Sequence, residues 1–235
     1  MSAMIQVTPM RKVVVYAGTR NIYGNMATAA KSLLLNNPGV DQVYFLIEDD
    51  VFPEDLPKQI RCINVLGQTW FYADGPNYKT RWTYMTLMRL ALPEILPDEH
   101  RVLWLDVDTI VVDDISQLFE TDLEGCYFGA AEEPSHSQRP FVYHNAGVLL
   151  CDLDALRDGK YLELIRFVNG HKMDFADQDC INLACQKQIK VISPIYNASA
   201  WTDEPLNAKI VHFAADRNYQ DRALFKHYAA MKWGE

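Results

Sequence analysis

The sequence predicts an α/β fold, a single domain built on a mostly parallel sheet flanked by helices. Three observations carry this. Residues 12–17 (KVVVYA) and 42–47 (QVYFLI) are short runs of bulky and β-branched residues, the composition of strands buried on both faces. Between them, Ala27, Ala30, Leu33 and Leu34 recur at helical spacing over residues 25–35. A strand–helix–strand opening implies a parallel pair joined by a right-handed crossover. The chain has 235 residues, enough for one such domain, and its 49% hydrophobic content argues against disorder.

The later elements follow in order. A turn over 18–21 ends the first strand, and Asn36, Asn37, Pro38 and Gly39 stop the first helix. Residues 48–57 are an acidic loop, and 60–65 form a third strand. Residues 67–78 hold an aromatic loop (WFYADGPNY) without a period. The spacing of Tyr84, Leu87, Met88, Ala91 and Leu92 predicts a helix over 81–95. A strand at 102–105, a short helix at 115–120 and a strand at 127–131 come next. A polar loop spans 132–140, a strand 148–150 and a helix 156–169. Another helix starts at Asp177, followed by strands at 190–192 and 209–213, with a loop over 196–207 between them. A basic, aromatic helix closes the chain over 219–235, and residues 1–11 read as a leader. No repeat or linker divides the sequence.

Bulk charge narrows the partners. The formal net charge is −9, which disfavours free nucleic acid, although a metal can bridge an acidic protein to a nucleotide. Five cysteines at scattered spacing describe neither a disulfide framework nor a zinc site. They imply reduced thiols and a cytoplasmic location. No signal-peptide pattern and no membrane-spanning run is present. Arg222, Lys226 and Lys232 are too few to make the C-terminal segment a membrane anchor.

Residues 101–114 (RVLWLDVDTIVVDD) centre the chemistry. An apolar strand runs into Asp106 and Asp108, two hard oxygen ligands at the mouth of the sheet, where open α/β folds bind ligands. If the chain bends there, both acids can serve one Mg²⁺ or Mn²⁺. The plainer reading is a turn or a helix cap. Arg89 lies on an apolar face, which is costly unless it is paired or faces a cleft. It is a partner for the aspartates, a contact to a substrate hydroxyl, or a snorkelling side chain. Ala146 and Gly147 let the backbone approach a ligand closely, or simply form a turn entering a strand. Asp177, Gln178 and Asp179 suit a helix N-terminus as ordinary caps. The loop after the first strand is the expected home of a nucleotide, yet no Gly-x-Gly-x-x-Gly is present.

Taken together, VVVYAGTRN, YMTLMRLALPEIL, VLWLDVDTIVVDDI, YHNAGVLLCDL and ADQDCIN, followed by KIVHF, resemble in order the blocks of the family 8 glycosyltransferases. This is the group of glycogenin and the bacterial lipopolysaccharide galactosyl- and glucosyltransferases. The resemblance implies a GT-A type, Rossmann-like fold, with a nucleotide-binding half over about 12–114 and an acceptor and sugar half over about 115–218. It implies a retaining transfer of glucose or galactose from a UDP-sugar donor to a carbohydrate or glycoconjugate acceptor. The implied cofactor is Mn²⁺, with Mg²⁺ as an alternative.

Residue by residue, the resemblance makes Asp106, Asp108 and His212 metal ligands. Arg89, Asn145, Ala146, Gly147 and Asp177 would bind the donor sugar. Gln178 would face the anomeric carbon. Ala17, Thr19 and Asn21 would hold uracil and ribose, with Asp106 also on the nucleotide side. Two departures stand out. Thr19-Arg20 replaces the usual Asp-Asp. The C-terminal His-x-x-Gly-x-x-Lys-Pro-Trp reads HFAADRNYQ, so Ala215 replaces Gly and the diphosphate-binding Lys is missing. Arg217, one place earlier, is the candidate substitute.

A neutral Gln178 is a poor nucleophile. Asp177 is a possible one, ranked below a front-side route in which the leaving phosphate oxygen accepts the acceptor's proton. Two alternatives remain: a sugar-1-phosphate nucleotidyltransferase and a non-catalytic nucleotide-sugar-binding module. The acceptor is not specified by residues 67–78, 132–143 or 196–207, and the oligomeric state is equally unspecified.

Overall fold

The computed structural model describes residues 10–51, 55–133, 135, 139–200 and 207–234. Most of the leader, the tip of the 132–140 loop and residues 201–206 of the 196–207 loop lie outside the described residues.

Seven strands form the main sheet in the order β3-β2-β1-β4-β7-β6-β8. They are β1 (Val13–Ala17), β2 (Gln42–Ile47), β3 (Ile60–Asn64), β4 (Arg101–Leu105), β6 (Phe128–Glu132), β7 (His144–Asp152) and β8 (Ile189–Val191). The strands β3, β2, β1 and β4 are mutually parallel, as are β6 and β8; β7 runs antiparallel to both β4 and β6. The sheet is therefore mixed but mostly parallel.

Alternate residues of each central strand enter opposite cores. In β4, Val102 and Trp104 face one apolar layer, and Leu103 and Leu105 face the other. The first layer includes Leu164 and Val168 of α5 (Lys160–Gly170) and Cys180 and Ile181 of α6 (Ala176–Ala184). The second includes Met26, Ala29, Ala30 and Leu33 of α1 (Tyr23–Asn36) and Leu118 and Phe119 of α3 (Ser116–Phe119). Burial on both faces explains why the strands read as unbroken apolar runs.

Four predicted elements differ. The helix predicted over 81–95 is a 3-10 stretch, Tyr84–Leu90, followed by the one-turn α2 (Leu92–Ile95). Pro93 has no N–H for the carbonyl four residues earlier, so a continuous α-helix is lost and the break falls at Ala91. The helix predicted over 156–169 is two, α4 (Leu153–Arg157) and α5, parted at Gly159 with φ +101°. The strand predicted at 148–150 runs the full length of β7, so Asn145, Ala146 and Gly147 are strand residues. The closing helix is shorter than predicted, α7 (Ala223–Ala230) after a 3-10 turn at Tyr219–Asp221. Lys31 of α1 donates to the carbonyls of Ala229 and Met231 and ends it.

A second sheet, not predicted, has the order β5-β10-β9, with β5 (Thr109–Val111), β9 (Ala198–Ser199) and β10 (Ile210–His212). Ile110, Val211 and Phe213 pack with Phe225 and Tyr228 of α7 into a third small core. This sheet brings the C-terminal part of the chain back to the end of β4.

Candidate active site

The chain bends sharply at the C-terminal end of β4. The Asp106 N–H donates to the Gly147 carbonyl at 2.8 Å, and Thr109 returns N–H and hydroxyl bonds to the Asp106 carbonyl at 3.1 and 2.7 Å. The Phe213 N–H donates to the Asp108 carbonyl at 2.9 Å, tying the bend to the end of β10. Two acids at i, i+2 on a straight strand would share a face; here the bend and the second sheet bring in His212 as well. Ligand atoms of Asp106, Asp108 and His212 all lie within 4.8 Å of one another. Metal binding, the sharper of the two sequence readings, thus has a matching constellation.

His212 is held in one tautomer. Its Nδ1 lies 2.8 Å from Asn197 Oδ1, the Asn197 amide donates to Asn145 Oδ1 at 2.9 Å, and the Asn145 amide donates to Glu133 Oε2 at 2.9 Å. A carboxylate at the far end only accepts, so every donor in the row points toward Glu133 and Nδ1 carries the hydrogen. In the neutral ring Nε2 is then the lone-pair nitrogen, and it faces Asp108 Oδ1 at 3.3 Å, a contact that favours its protonation in the metal-free protein. Burial opposes protonation of His212, but Asp108, Asp106 and Glu133 outweigh it and raise the pKa above the ordinary histidine range. The ring lies against the backbone at Gly147. A Cβ there would fall 2.1 Å from His212 Cε1, so the close approach expected at this glycine is made by a side chain of the site itself. Two carboxylates and an oriented imidazole fit a borderline-hard divalent cation such as Mn²⁺.

Arg89 is 2% exposed and joins the two acidic clusters. It donates to Asp106 Oδ1 at 2.8 Å, to the Thr86 carbonyl at 2.9 Å and to the Ala146 carbonyl, and it forms an ion pair with Asp177 Oδ2 at 3.0 Å. Its guanidinium lies 4.6 Å from the Trp104 ring centre. The Trp104 indole N–H donates to Asp106 Oδ1 at 2.8 Å, so Asp106 Oδ2 carries neither bond. Burial works against the charge on Arg89, and Asp106 and Asp177 restore it. The snorkelling alternative is excluded. Burial pushes the Asp177 carboxyl up to about 6; Arg89 opposes the rise and Asp106 adds to it.

The polar residues of ADQDCIN now have separate tasks. Asp177 pairs with Arg89. Gln178, half-buried, accepts the Ala146 N–H at 2.9 Å. Asp179 accepts the Tyr143 hydroxyl at 2.6 Å and the Phe175 N–H at 2.9 Å. Asn182, 1% exposed, imitates a strand neighbour: it accepts the His144 N–H and donates to the His144 carbonyl, both at 2.8 Å, and also reaches the Gln178 carbonyl at 2.9 Å. Capping explains only part of this set. Ala176, at the first position of α6, has φ +26°, which is unusual for a residue with a Cβ.

On the nucleotide side, Ala17 ends β1, and the pairing of Val15 with Trp104 sets it level with Asp106. The Thr19 hydroxyl donates to Asn21 Oδ1 at 2.5 Å, and Arg20 pairs with Asp49 at 2.6 Å. Arg217 is exposed and follows Ala215, which has φ +63°. Sequence reasoning missed Trp104, Asn197, Glu133, Tyr143 and Asn182. A buried indole N–H two residues before an acid was a usable signal; Asn197 gave none.

The structure is of the GT-A type. It matches the galactosyltransferase LgtC, solved in complex with donor and acceptor sugar analogs, with a TM-score of 0.75 and 21% identity over 92% of this chain and 95% of that one. It also matches the glycosyltransferase GlyE of Streptococcus pneumoniae TIGR4, with a TM-score of 0.74 and 22% identity over 95% of this chain and 61% of that one. The model of "Glycosyl transferase family 8" matches residues 13–230, and the chain belongs to that family. Among curated proteins, the glycosyltransferase GlyF of S. pneumoniae serotype 4 (strain ATCC BAA-334 / TIGR4) is 26% identical over 94% of this chain and 56% of its own length. General stress protein A of Bacillus subtilis (strain 168) is 28% identical over 48% of this chain and 45% of its own. The chain spans about half the length of the curated relatives it matches. No helix among the described residues is long and apolar enough to cross a membrane.

Proposed function

We propose that the protein transfers glucose or galactose from a UDP-sugar to a carbohydrate or glycoconjugate acceptor, with retention at the anomeric carbon and dependence on Mn²⁺, or Mg²⁺ in its place. The observation that carries this is the cluster of Asp106, Asp108 and tautomer-locked His212. These three residues would hold the cation, which when bound supplies Lewis-acid stabilisation of a diphosphate leaving group. Trp104 and Arg89 fix Asp106 through Oδ1. Ala17, Thr19 and Asn21 would receive the uridine, and Arg217 the diphosphate. Asn145, Ala146, Gly147, Arg89 and Asp177 would surround the sugar.

The ion pair with Arg89 supports ranking Asp177 below a front-side route. A carboxylate held at 3.0 Å by a buried guanidinium is a poor nucleophile. Gln178 has its carbonyl oxygen anchored on Ala146 and would steady the cationic sugar from a fixed position. The acceptor proton would pass to the departing phosphate oxygen. All five cysteines are free, which fits a reducing cytoplasm.

Donor hydrolysis tests the proposal. Incubation with UDP-glucose and UDP-galactose should release UDP only with added metal, and Asp108→Asn should abolish the release. Release of pyrophosphate from a nucleoside triphosphate and a sugar phosphate would instead establish a nucleotidyltransferase. Nucleotide-sugar binding without turnover under any acceptor would leave a binding module.

A further inference from the structure

Arg81 lies near the start of α6, against Phe175. Arg89, Arg139, Arg20 and Arg222 each pair with carboxylates. Arg81 is exposed, and among the described residues no carboxylate lies within ion-pairing distance of it. Two aromatic rings hold it instead. Its guanidinium carbon lies 3.8 Å from the Trp82 ring centre and 5.3 Å from that of Phe175, and the two rings lie 5.5 Å apart at 42°. A guanidinium resting against aromatic rings keeps N–H groups for a carboxylate or phosphate.

Both supports are anchored to the site. The Thr80 hydroxyl bonds the Trp82 carbonyl at 2.8 Å and receives its N–H at 3.2 Å, forming a tight turn. That turn leads directly into the 3-10 stretch that carries Arg89. The Phe175 N–H is held by Asp179 at 2.9 Å, and Phe175 immediately precedes α6. Asp177 and Gln178 follow within one helical turn, about 5 Å along the axis. Arg81 therefore stands against the residue just before α6, three positions before the one proposed to face the anomeric carbon. In a chain of net charge −9, an anionic ligand needs such a local cation.

We infer that Arg81, held on Trp82 and Phe175, recognises an anionic acceptor, a sugar unit that carries a carboxylate or a phosphate. The inference rests on the transferase reading and names the acceptor class of that site.

The test uses the full chain loaded with Mn²⁺ and UDP. It is titrated by ligand-observed NMR with methyl galactoside, methyl galacturonide and galactose 6-phosphate, for the parent, Arg81→Gln and Arg81→Lys. An acidic sugar should bind roughly tenfold more tightly than the neutral one. The preference should vanish in Arg81→Gln and fall to an intermediate value in Arg81→Lys, which keeps the charge without the planar fork. UDP affinity should be the same in all three proteins, which also verifies folding. Preference for the galacturonide alone identifies a carboxylate; preference for the phosphate alone identifies a phosphate. Equal binding of neutral and acidic sugars, no binding of any of them, or a preference that survives Arg81→Gln overturns the inference. Failure of the parent to bind UDP with Mn²⁺ overturns the transferase reading instead.

Discussion

In the proposed site, His212 would bind the cation through the nitrogen that Asn197 leaves free, in the space that Gly147 leaves open. Gly147→Ala puts a methyl group where the imidazole lies, at 2.1 Å from its Cε1. Mn²⁺ affinity measured by calorimetry should fall more than about tenfold, while circular dichroism stays native. Asn197→Leu removes the acceptor at Nδ1 and should lower affinity by roughly 10–100-fold. An unchanged affinity in either variant would remove His212 from the ligand set. Proton linkage gives a further check. The raised pKa of His212 means that the metal-free fold gains stability from its proton below the unfolded value near 6.5, and loses that gain as pH rises through the folded value. Metal needs the neutral ring, so Mn²⁺ should bind more tightly at about pH 8 than at about pH 6. Asp177 is a carboxyl with a raised pKa, so the folded state holds its proton longer than the unfolded one. Its contribution to stability falls as pH rises from about 4 to about 6. Denaturation across that window should show the fall in the parent and its absence in Asp177→Asn.

At the level of elements, α6 is bound to β7 by side chains rather than by apolar packing alone. Asn182→Leu strips the His144 backbone of its partner and should cost roughly 1–3 kcal/mol in chemical denaturation. It should also lower turnover by displacing Gln178, with Mn²⁺ affinity unchanged. Ala215 illustrates a different balance. It holds φ +63° where the family pattern has glycine, so the left-handed backbone has been kept with a Cβ in place. Ala215→Gly should raise stability by roughly 0.5–1 kcal/mol, since relief of the strain exceeds the added freedom of the unfolded chain. What could be read at this scale followed the period of burial. The strands β1, β2 and β4 are buried on both faces and were plain as apolar runs. The apolar spacing that predicts one helix over 81–95 is shared by 3-10 and α geometry, and Pro93 divides the segment. The full length of β7 was hidden because Asn145, Ala146 and Gly147 have turn-like composition and are held in the strand by Asp106 and Asn182.

For the whole molecule, two sheets meet at one bend. The sequence made the Asp106–Asp108 pair and its position at a strand end legible, because an apolar strand ending in acids is a local pattern. The second sheet was not legible. Of its strands only β10 is legible, within the strand predicted at 209–213; β5 and β9 have three and two residues, too few for alternation to show, and β5 pairs with β10 across about 100 residues. His212 was therefore known only through the resemblance, and its approach to Asp108 depends on β5 pairing with β10. The hydrogen-bonded row from Glu133 to His212 was likewise invisible, since it joins four residues with no common spacing.

In the proposed function, Asp106, Asp108 and His212 together hold one divalent cation that activates a UDP-sugar. The most direct measurement is UDP release from UDP-glucose and UDP-galactose with and without Mn²⁺, in the parent and in His212→Ala. Release that requires Mn²⁺ in the parent and falls to background in the variant is the predicted result. Equal release without metal, or full activity in His212→Ala, would contradict it.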